Sequence, residues 1–126
     1  MKKIISKLIE EQNHLYLKSG IYFILPEEGK INPNPSHINN GFCYKYAYDL
    51  EKKLKAKNIN CEVIGIEYLD VPHAFIKIEN SYYDSETPNG VTHYLELPLF
   101  KSLQSETTEL IKKDNVIQKI MKKLKF

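Results

Sequence analysis

NNGFCYKYAYDL, residues 39–50, reads as a loop that turns sharply into a helix, with a cysteine in the first helical turn. Asn39 and Asn40 are good N-cap residues, because a short side-chain oxygen can accept a hydrogen bond from a free backbone N–H group. Gly41 lets the chain bend before the helix begins. Cys43 therefore lies at the positive end of a helix dipole, a position that favours the nucleophilic thiolate form of cysteine.

A buried cysteine is usually inert, so Cys43 alone does not establish a catalytic site. A thiol nucleophile needs a base within hydrogen-bond reach, and the base needs a partner that orients its ring. His73 follows Pro72 and opens a predicted strand, which makes it the candidate base. Asp84 and Glu86 lie on the segment that returns from a tight turn, and they are the candidate orienting carboxylates.

Hairpin geometry relates these carboxylates to the histidine. With a two-residue turn at residues 79–80, Asp84 shares a face with His73 and lies on a diagonal that the two side chains can span. A loop longer by one residue would put Asp84 on the opposite face. In the first register Glu86 lies directly opposite His73, so the hairpin alone leaves both carboxylates open for the third catalytic role.

A thiol hydrolase also needs hydrogen-bond donors for the oxyanion that develops during acyl transfer. The backbone N–H of Cys43, at the start of the helix, is one such donor. A side chain of the preceding loop would supply the second, and His37, Asn39 and Asn40 are available there. Asn40 would be occupied as the cap, which leaves Asn39 and His37 as the candidates.

The residues around the cysteine, histidine and aspartate resemble the papain-like cysteine hydrolases, and within them the transglutaminase-like and bacterial cysteine-peptidase branch. Members typically have Gly-x-Cys at a helix start, then a strand, a His-Ala-aromatic strand and an aromatic-Asp return. The matching segments, within residues 39–90, are Gly41-Phe42-Cys43, His73-Ala74-Phe75 and Tyr82-Tyr83-Asp84.

The resemblance implies that Cys43 is the nucleophile, His73 the general base and acid, and Asp84, in preference to Glu86, the residue that orients the imidazole. It implies a cysteine hydrolase of the peptidase or amidase type, which cleaves an amide or thioester bond of a peptide or protein. A transglutaminase-like acyltransferase and a catalytically inactive papain-like binding module are the alternatives.

Length and composition limit the class of protein. The chain has 126 residues, 42% hydrophobic and 27% charged, which is typical of one globular domain over residues 1–126. A net charge of +2 is too small to indicate a nucleic-acid partner.

Two cysteines make no disulfide framework, which favours a reducing, cytoplasmic compartment. The histidines show no metal-ligand spacing, so we predict neither a metal nor a cofactor. The Lys-, Asn- and Ile-rich usage is typical of an AT-rich genome, bacterial or phage.

The remaining segments complete a predicted α+β, papain-like fold, in which the Cys43 helix packs on a small antiparallel sheet between two amphipathic terminal helices. The N-terminus has no signal-peptide pattern, and no run is long enough to span a membrane, although the basic C-terminal helix leaves a weak possibility of membrane contact. The predicted core spans residues 39–100. We predict helices at residues 2–18, 42–57 and 102–126, strands at 21–25, 61–68, 73–78 and 82–84, one or two short strands within 91–100, and a long loop at 26–40.

Overall fold

The computed structural model of the protein describes residues 1–19, 34–39 and 41–106, and in them it has an α+β fold. Three strands form one antiparallel sheet in the order β1-β2-β3, so β2 is the central strand. Four helices and one 3-10 turn accompany the sheet within these residues. The elements are α1 Lys2–Ser19, α2 Pro35–Asn39, α3 Cys43–Ala56, β1 Glu62–Tyr68, β2 Val71–Ile78, β3 Ser81–Tyr83, the 3-10 turn Tyr94–Glu96 and α4 at residues 98–106.

Two tight hairpins build the sheet. Leu69 and Asp70 join β1 to β2 with positive φ angles of 51° and 65°, which match the twist of a two-residue hairpin loop. The turn between β2 and β3 also has two residues, because Ile78 pairs directly with Ser81. The predicted turn at residues 79–80 and the register that follows from it are therefore confirmed. Glu79 has the one positive φ that this turn requires, 54°.

The central strand β2 is buried on both faces. One face, with Ala74, Ile76 and Ile78, packs against α1 and α3. The opposite face carries Phe75, which packs against the 3-10 turn and α4. The largest fully buried side chains of the first cluster include Ile5, Ile9, Ile38, Tyr46, Leu50 and Leu54, and the second cluster includes Leu97 and Phe100. The helix of the cysteine is thus fixed to the sheet by apolar packing.

Two predicted segments have a different structure. Part of the predicted loop at 26–40 is the short helix α2, while residues 26–33 and 40 lie outside the described residues. The segment 91–100 was expected to form strands, but only Val91 makes a bridge, to Tyr82, and the chain then turns into helical structure. The chain turns before Pro98, because the His93 side chain accepts a hydrogen bond from the backbone N–H of Leu95 and caps the 3-10 turn, and Pro98 then fits the first turn of α4.

The terminal helices differ in how much of them is described. The N-terminal helix is confirmed as α1. The C-terminal helix begins at residue 98 instead of 102, and it is described as far as residue 106. The basic face predicted within residues 107–126 and the strand predicted at 21–25 lie outside the described residues. Within the described helices, none combines the length and the apolar character that a membrane crossing needs.

Candidate active site

Three predicted site residues meet at one end of the sheet. The Nε2 atom of His73 lies 3.0 Å from the Oδ2 atom of Asp84. The thiol of Cys43 interacts with the same imidazole, and Nδ1 is the ring nitrogen left for it. Among the described residues, Nδ1 has no partner that meets the distance and angles of a hydrogen bond. The contact between the thiol and Nδ1 is therefore less well directed than the bond between Nε2 and Asp84. The relative exposures of Cys43, His73 and Asp84 are 5%, 0% and 2%, so the imidazole lies between a buried thiol and a buried carboxyl group.

The strand register explains why Asp84 and His73 meet. The ladder between β2 and β3 ends at the pair Ile76–Tyr83, and Asp84 is the next residue of the chain. Beyond that pair β2 continues alone towards His73, so the side of His73 that faces away from β1 is open to the Asp84 carboxylate. A three-residue strand therefore leaves room for the contact between the two side chains.

The surroundings of His73 differ from the prediction in one respect. The residue does not open its strand at the mouth of the sheet, because β2 begins at Val71 and His73 pairs with Ile66 within the central strand. The strand starts earlier because the two-residue hairpin loop returns the chain directly into the ladder. The rings of Phe75 and Phe100 pack on the imidazole, with centroids 5.8 and 5.4 Å away. This apolar cover shields the imidazole from water and strengthens its interactions with charged groups.

The electrostatics favour a charged pair. Burial alone would raise the pKa of Cys43, but the interaction with the His73 imidazole and the backbone N–H groups of Ala74 and Tyr44 outweigh it, and the pKa is lowered. Burial would lower the pKa of His73, but the bond with Asp84 and the interaction with Cys43 prevail and raise it from 6.5 to about 9. Near neutral pH these shifts favour a thiolate beside an imidazolium.

A tight turn orients the Asp84 carboxylate. Its Oδ1 atom accepts hydrogen bonds from the backbone N–H of Glu86, at 2.9 Å, and from the hydroxyl of Thr87, at 2.8 Å. The Thr87 hydroxyl also accepts from the Asp84 backbone N–H. With Oδ1 held in this way, Oδ2 is directed at His73. We did not predict a role for Thr87, although an aspartate followed by a threonine three residues later is a recognisable turn signal.

Glu86, the second candidate carboxylate, does not bond to the histidine ring. The chain leaves the sheet after Tyr83, so Glu86 does not lie opposite His73 on the ladder. Its Oε2 atom accepts a hydrogen bond from Asn39 Nδ2 at 2.8 Å, and the same Nδ2 lies 3.5 Å from Asp84 Oδ2. Glu86 therefore belongs to the site as a neighbour of the triad, connected to it through Asn39.

The start of α3 corrects the predicted cap. The N-cap position is Phe42, without a side-chain hydrogen bond, and Asn39 is instead the last residue of α2. Asn39 lies three residues before Phe42; its Nδ2 atom bonds to Glu86 and lies 3.5 Å from Asp84 Oδ2, while its Oδ1 atom has no hydrogen-bond partner among the described residues. Asn40 lies outside the described residues. The first helical N–H with an intrahelical acceptor is that of Tyr46, which leaves the Cys43 N–H without one.

Helix α1 holds the turn from the other side. Asn13 donates a hydrogen bond from Nδ2 to the carbonyl of Ser85 at 2.8 Å, and its Oδ1 accepts from the hydroxyl of Tyr46 at 2.6 Å. The Ser85 hydroxyl donates to the carbonyl of Pro35 at 2.8 Å. Residues that we treated only as a covering helix thus fix the loop between Asp84 and Glu86. No local signal in the sequence could have identified Asn13, because its partner is 72 residues away.

A cleft opens beside the sulfur of Cys43 and has a volume of about 590 Å³. Its walls come from α2, the start of α3, the start of β2, the turn after Asp84 and α4. The described lining residues are Ser36, His37, Asn39, Gly41, Cys43, Tyr44, Val71, Pro72, Glu86, Pro98, Leu99 and Ser102. Both predicted oxyanion candidates, His37 and Asn39, line it. The volume of this cleft lies within the range of about 300–1,000 Å³ that is typical of ligand pockets.

The other cysteine lies in a different environment. Cys61 is half-buried beside the core, and its sulfur lies 3.9 Å from the carbonyl oxygen of Glu51. Burial raises the pKa of this thiol, and the charge of Glu51 acts in the same direction. Cys61 therefore serves as an unactivated thiol for comparison with Cys43. Across residues 1–19, 34–39 and 41–106, no three His, Cys, Asp or Glu side chains gather in a group that could hold a metal ion.

Comparisons with known proteins were made at three levels, by family, by sequence and by structure. No protein-family model, curated protein or solved structure matches the chain. The interpretation of the site therefore depends on the geometry of its own residues.

Proposed function

We propose that the protein is a cysteine hydrolase that cleaves an amide or thioester bond through an acyl-thioenzyme on Cys43. His73 acts as the acid and base, and Asp84 orients the imidazole. The observation that carries this proposal is the buried imidazole of His73, which interacts with a thiol on one side and bonds to a carboxylate on the other. A structural histidine would need only one of these partners, whereas a nucleophile, a base and an orienting group in contact are the minimum for thiol catalysis.

The chemistry follows from the charged pair. The Cys43 thiolate attacks the carbonyl carbon of the substrate, a C–S bond forms, and the carbonyl electron pair moves to oxygen. When the oxyanion collapses, the bond to the leaving group breaks, and the His73 imidazolium gives its proton to the leaving amine or thiolate. Neutral His73 then takes a proton from water, the hydroxide attacks the acyl carbon, and the C–S bond breaks to restore the thiolate and the imidazolium.

The oxyanion would be stabilised at the start of α3. The backbone N–H of Cys43 has no intrahelical acceptor, and the helix dipole adds a positive potential there. For the second donor, the amide N–H groups of Asn39 already bond to carboxylates, while His37 lines the cleft nearby. Both predicted candidates for the second donor therefore line the cleft, and the Nδ1 atom of His37 accepts a hydrogen bond from the backbone N–H of Asn34.

Competitive alkylation tests the proposal directly. Iodoacetamide is added at neutral pH, and mass spectrometry follows the modification of Cys43 and Cys61 in the same molecules. We expect Cys43 to react at least about tenfold faster, because its pKa is lowered while that of Cys61 is raised. In a His73→Gln variant this advantage should disappear. Equal and slow modification of both thiols in the wild-type protein would contradict the proposed hydrolase and favour the alternative of a binding module without catalytic function.

Product analysis then distinguishes hydrolysis from acyl transfer. A casein digest is incubated with the protein, with and without an added primary amine, and the products are identified by mass spectrometry. New peptide termini that are independent of the amine support the hydrolase. Amine-modified glutamine side chains would support the transglutaminase-like alternative, which uses the same three residues. A Cys43→Ser variant is the control, because it keeps the cleft and removes the sulfur nucleophile.

A further inference from the structure

The negative groups in the described lining of the cleft are the carboxylate of Glu86 and the proposed thiolate of Cys43. Among the described lining residues Glu86 alone has a carboxylate, and none of them is lysine or arginine. The chain as a whole is slightly basic, with 18 Lys and Arg against 16 Asp and Glu. The negative charge beside Cys43 is therefore a property of the cleft, in contrast to the overall charge of the chain.

Glu86 is held in a fixed position. Asn39 donates to its Oε2 atom at 2.8 Å, and its own backbone N–H is bonded to Asp84 Oδ1 at 2.9 Å. Asn39 is itself only 6% exposed, and its Oδ1 atom has no hydrogen-bond partner among the described residues. Part of the polar capacity of this group is thus unused. A carboxylate that a buried amide already holds in place loses little further conformational freedom when a ligand binds.

Among the described residues, the positive charge that acts on the Glu86 carboxylate comes from His73, which already pairs with Asp84. Burial, the largest influence, raises the pKa of Glu86, and the charge of Asp84 adds to it, while Asn39 and His73 oppose it. Within the described residues no lysine or arginine forms an ion pair with Glu86. A half-buried carboxylate in this state gains more from a cationic ligand than a fully hydrated one, because part of its desolvation has already occurred.

We infer that Glu86 determines substrate specificity by binding a cationic group of the substrate, a lysine or arginine side chain or a free amino group close to the bond attacked. This inference rests on the proposed function, because it places the cation beside the nucleophile Cys43. Oε2 keeps its bond to Asn39, and the other carboxylate oxygen faces the cation. The substrate class that follows is a basic peptide or an amine-bearing acyl compound.

Charged thiol reagents test the inference without a known substrate. Cys43 is modified with two methanethiosulfonates of similar size, one with a trimethylammonium group and one with a sulfonate group. In each reaction the thiolate forms a disulfide with the reagent and methanesulfinate leaves. The ratio of the two rates is measured in the wild-type protein and in Glu86→Gln, and any general change in thiolate reactivity cancels in that ratio.

We expect the cation-to-anion rate ratio at Cys43 to fall about three- to tenfold in Glu86→Gln, and to fall further in Glu86→Lys. Glu62→Gln is the matched control, because Glu62 is exposed at the far end of β1 and loses the same charge. The ratio at Cys61 should remain the same in both Glu86 variants, because Cys61 and Glu86 line different pockets. With a reactive wild-type Cys43, an unchanged ratio in Glu86→Gln overturns the inference, even if both rates fall together, since Glu86 would then act only through Asn39. A wild-type Cys43 that reacts no faster than Cys61 overturns the proposed function instead.

Discussion

Replacing Asp84 by asparagine should strongly reduce the population of the thiolate–imidazolium pair while the fold remains. The Oδ1 atom of Asp84 accepts from the backbone N–H of Glu86 and from the hydroxyl of Thr87, so the amide oxygen of an asparagine would stay on that side. Its NH₂ group would then face Nε2 of His73 and need an acceptor there. An imidazolium has a proton on that nitrogen, so the charged form of His73 becomes incompatible with its neighbour.

The magnitude follows from the environment of His73. The rise of its pKa from 6.5 to about 9 corresponds to about 3 kcal/mol in favour of the imidazolium. Cys43 contributes part of this preference. A hydrogen bond between a charged donor and a charged acceptor contributes about 1.5–3 kcal/mol, so the loss of the Asp84 carboxylate should reduce the population of the charged pair about 10- to 100-fold near neutral pH.

The assay is the pH dependence of Cys43 alkylation by iodoacetamide, followed by mass spectrometry across a wide pH range. In Asp84→Asn we expect the midpoint of the rate profile to move up by about one to two pH units. The control is Asp70→Asn, because Asp70 is exposed, carries the same charge, and has a φ of 65° that asparagine also tolerates. Cys61 in the same molecules is the internal standard. Thermal unfolding checks that both variants are folded.

The reasoning is refuted if folded Asp84→Asn and Asp70→Asn give the same profile as the wild-type protein. That result would mean that the carboxylate does not influence the thiol through the histidine. An equal shift of the midpoint in both variants would assign the effect to the loss of any nearby negative charge. The 3.0 Å bond between Asp84 and His73 would then have no specific influence on the thiol.

The rate of hydrolysis of a peptide substrate should rise with pH through the lowered pKa of Cys43, as the thiolate forms, and fall as the pH passes the pKa of His73, about 9, because the imidazolium is lost. The rate of Cys43 alkylation should show only the rise, since alkylation needs no acid. Parallel pH profiles of hydrolysis and alkylation would contradict the acid role of the imidazolium. Thr87→Val should slow Cys43 alkylation about fivefold, because one hydrogen bond that orients the carboxylate is lost, whereas Thr87→Ser should restore the rate. Gly90→Ala should lower the free energy of unfolding in urea by at least about 2 kcal/mol. Gly90 has a φ of 77°, and a Cβ atom there would lie 2.7 Å from the ring of the tyrosine that ends β3. Gly41→Ala, also at a positive φ but with no atom within 4 Å, should cost less, and equal costs would show that strain alone decides.

Hairpin parity made the contact between His73 and Asp84 predictable. A two-residue turn and a period of two along each strand are local properties, and together they place both side chains on one face. The same reasoning failed for Glu86, because β3 ends at Tyr83. Asp84 directly follows the last ladder pair and stays close to the face that parity assigns to it, whereas Glu86 lies two residues further on, inside the turn. The length of a short strand is decided by the turn that follows it, which here is the hydrogen-bonded turn from Asp84 to Thr87.

The contacts made by Asn13 and Phe100 could not be predicted in this way. Asn13 bonds to the carbonyl of Ser85, and Phe100 packs on the ring of His73, and both contacts join distant parts of the chain. A periodic pattern indicates which face of a helix is buried, but it does not identify the partner across the core. The predicted cap at Asn39 or Asn40 also failed, because α2 extends to Asn39 and α3 begins only at Cys43, with Phe42 at the N-cap position.

The bond between Asn13 and Ser85 has a consequence for synthesis on the ribosome. Helix α1 emerges early, but the carbonyl that it holds is 72 residues further along the chain. Closing so long a loop carries an entropy cost that only the packed core can offset, so the turn that orients Asp84 becomes ordered late. A nascent chain would therefore carry Cys43 as an ordinary thiol, and the proposed activation of the sulfur would follow only after residues 84 and 85, beyond the end of β3, have been synthesised.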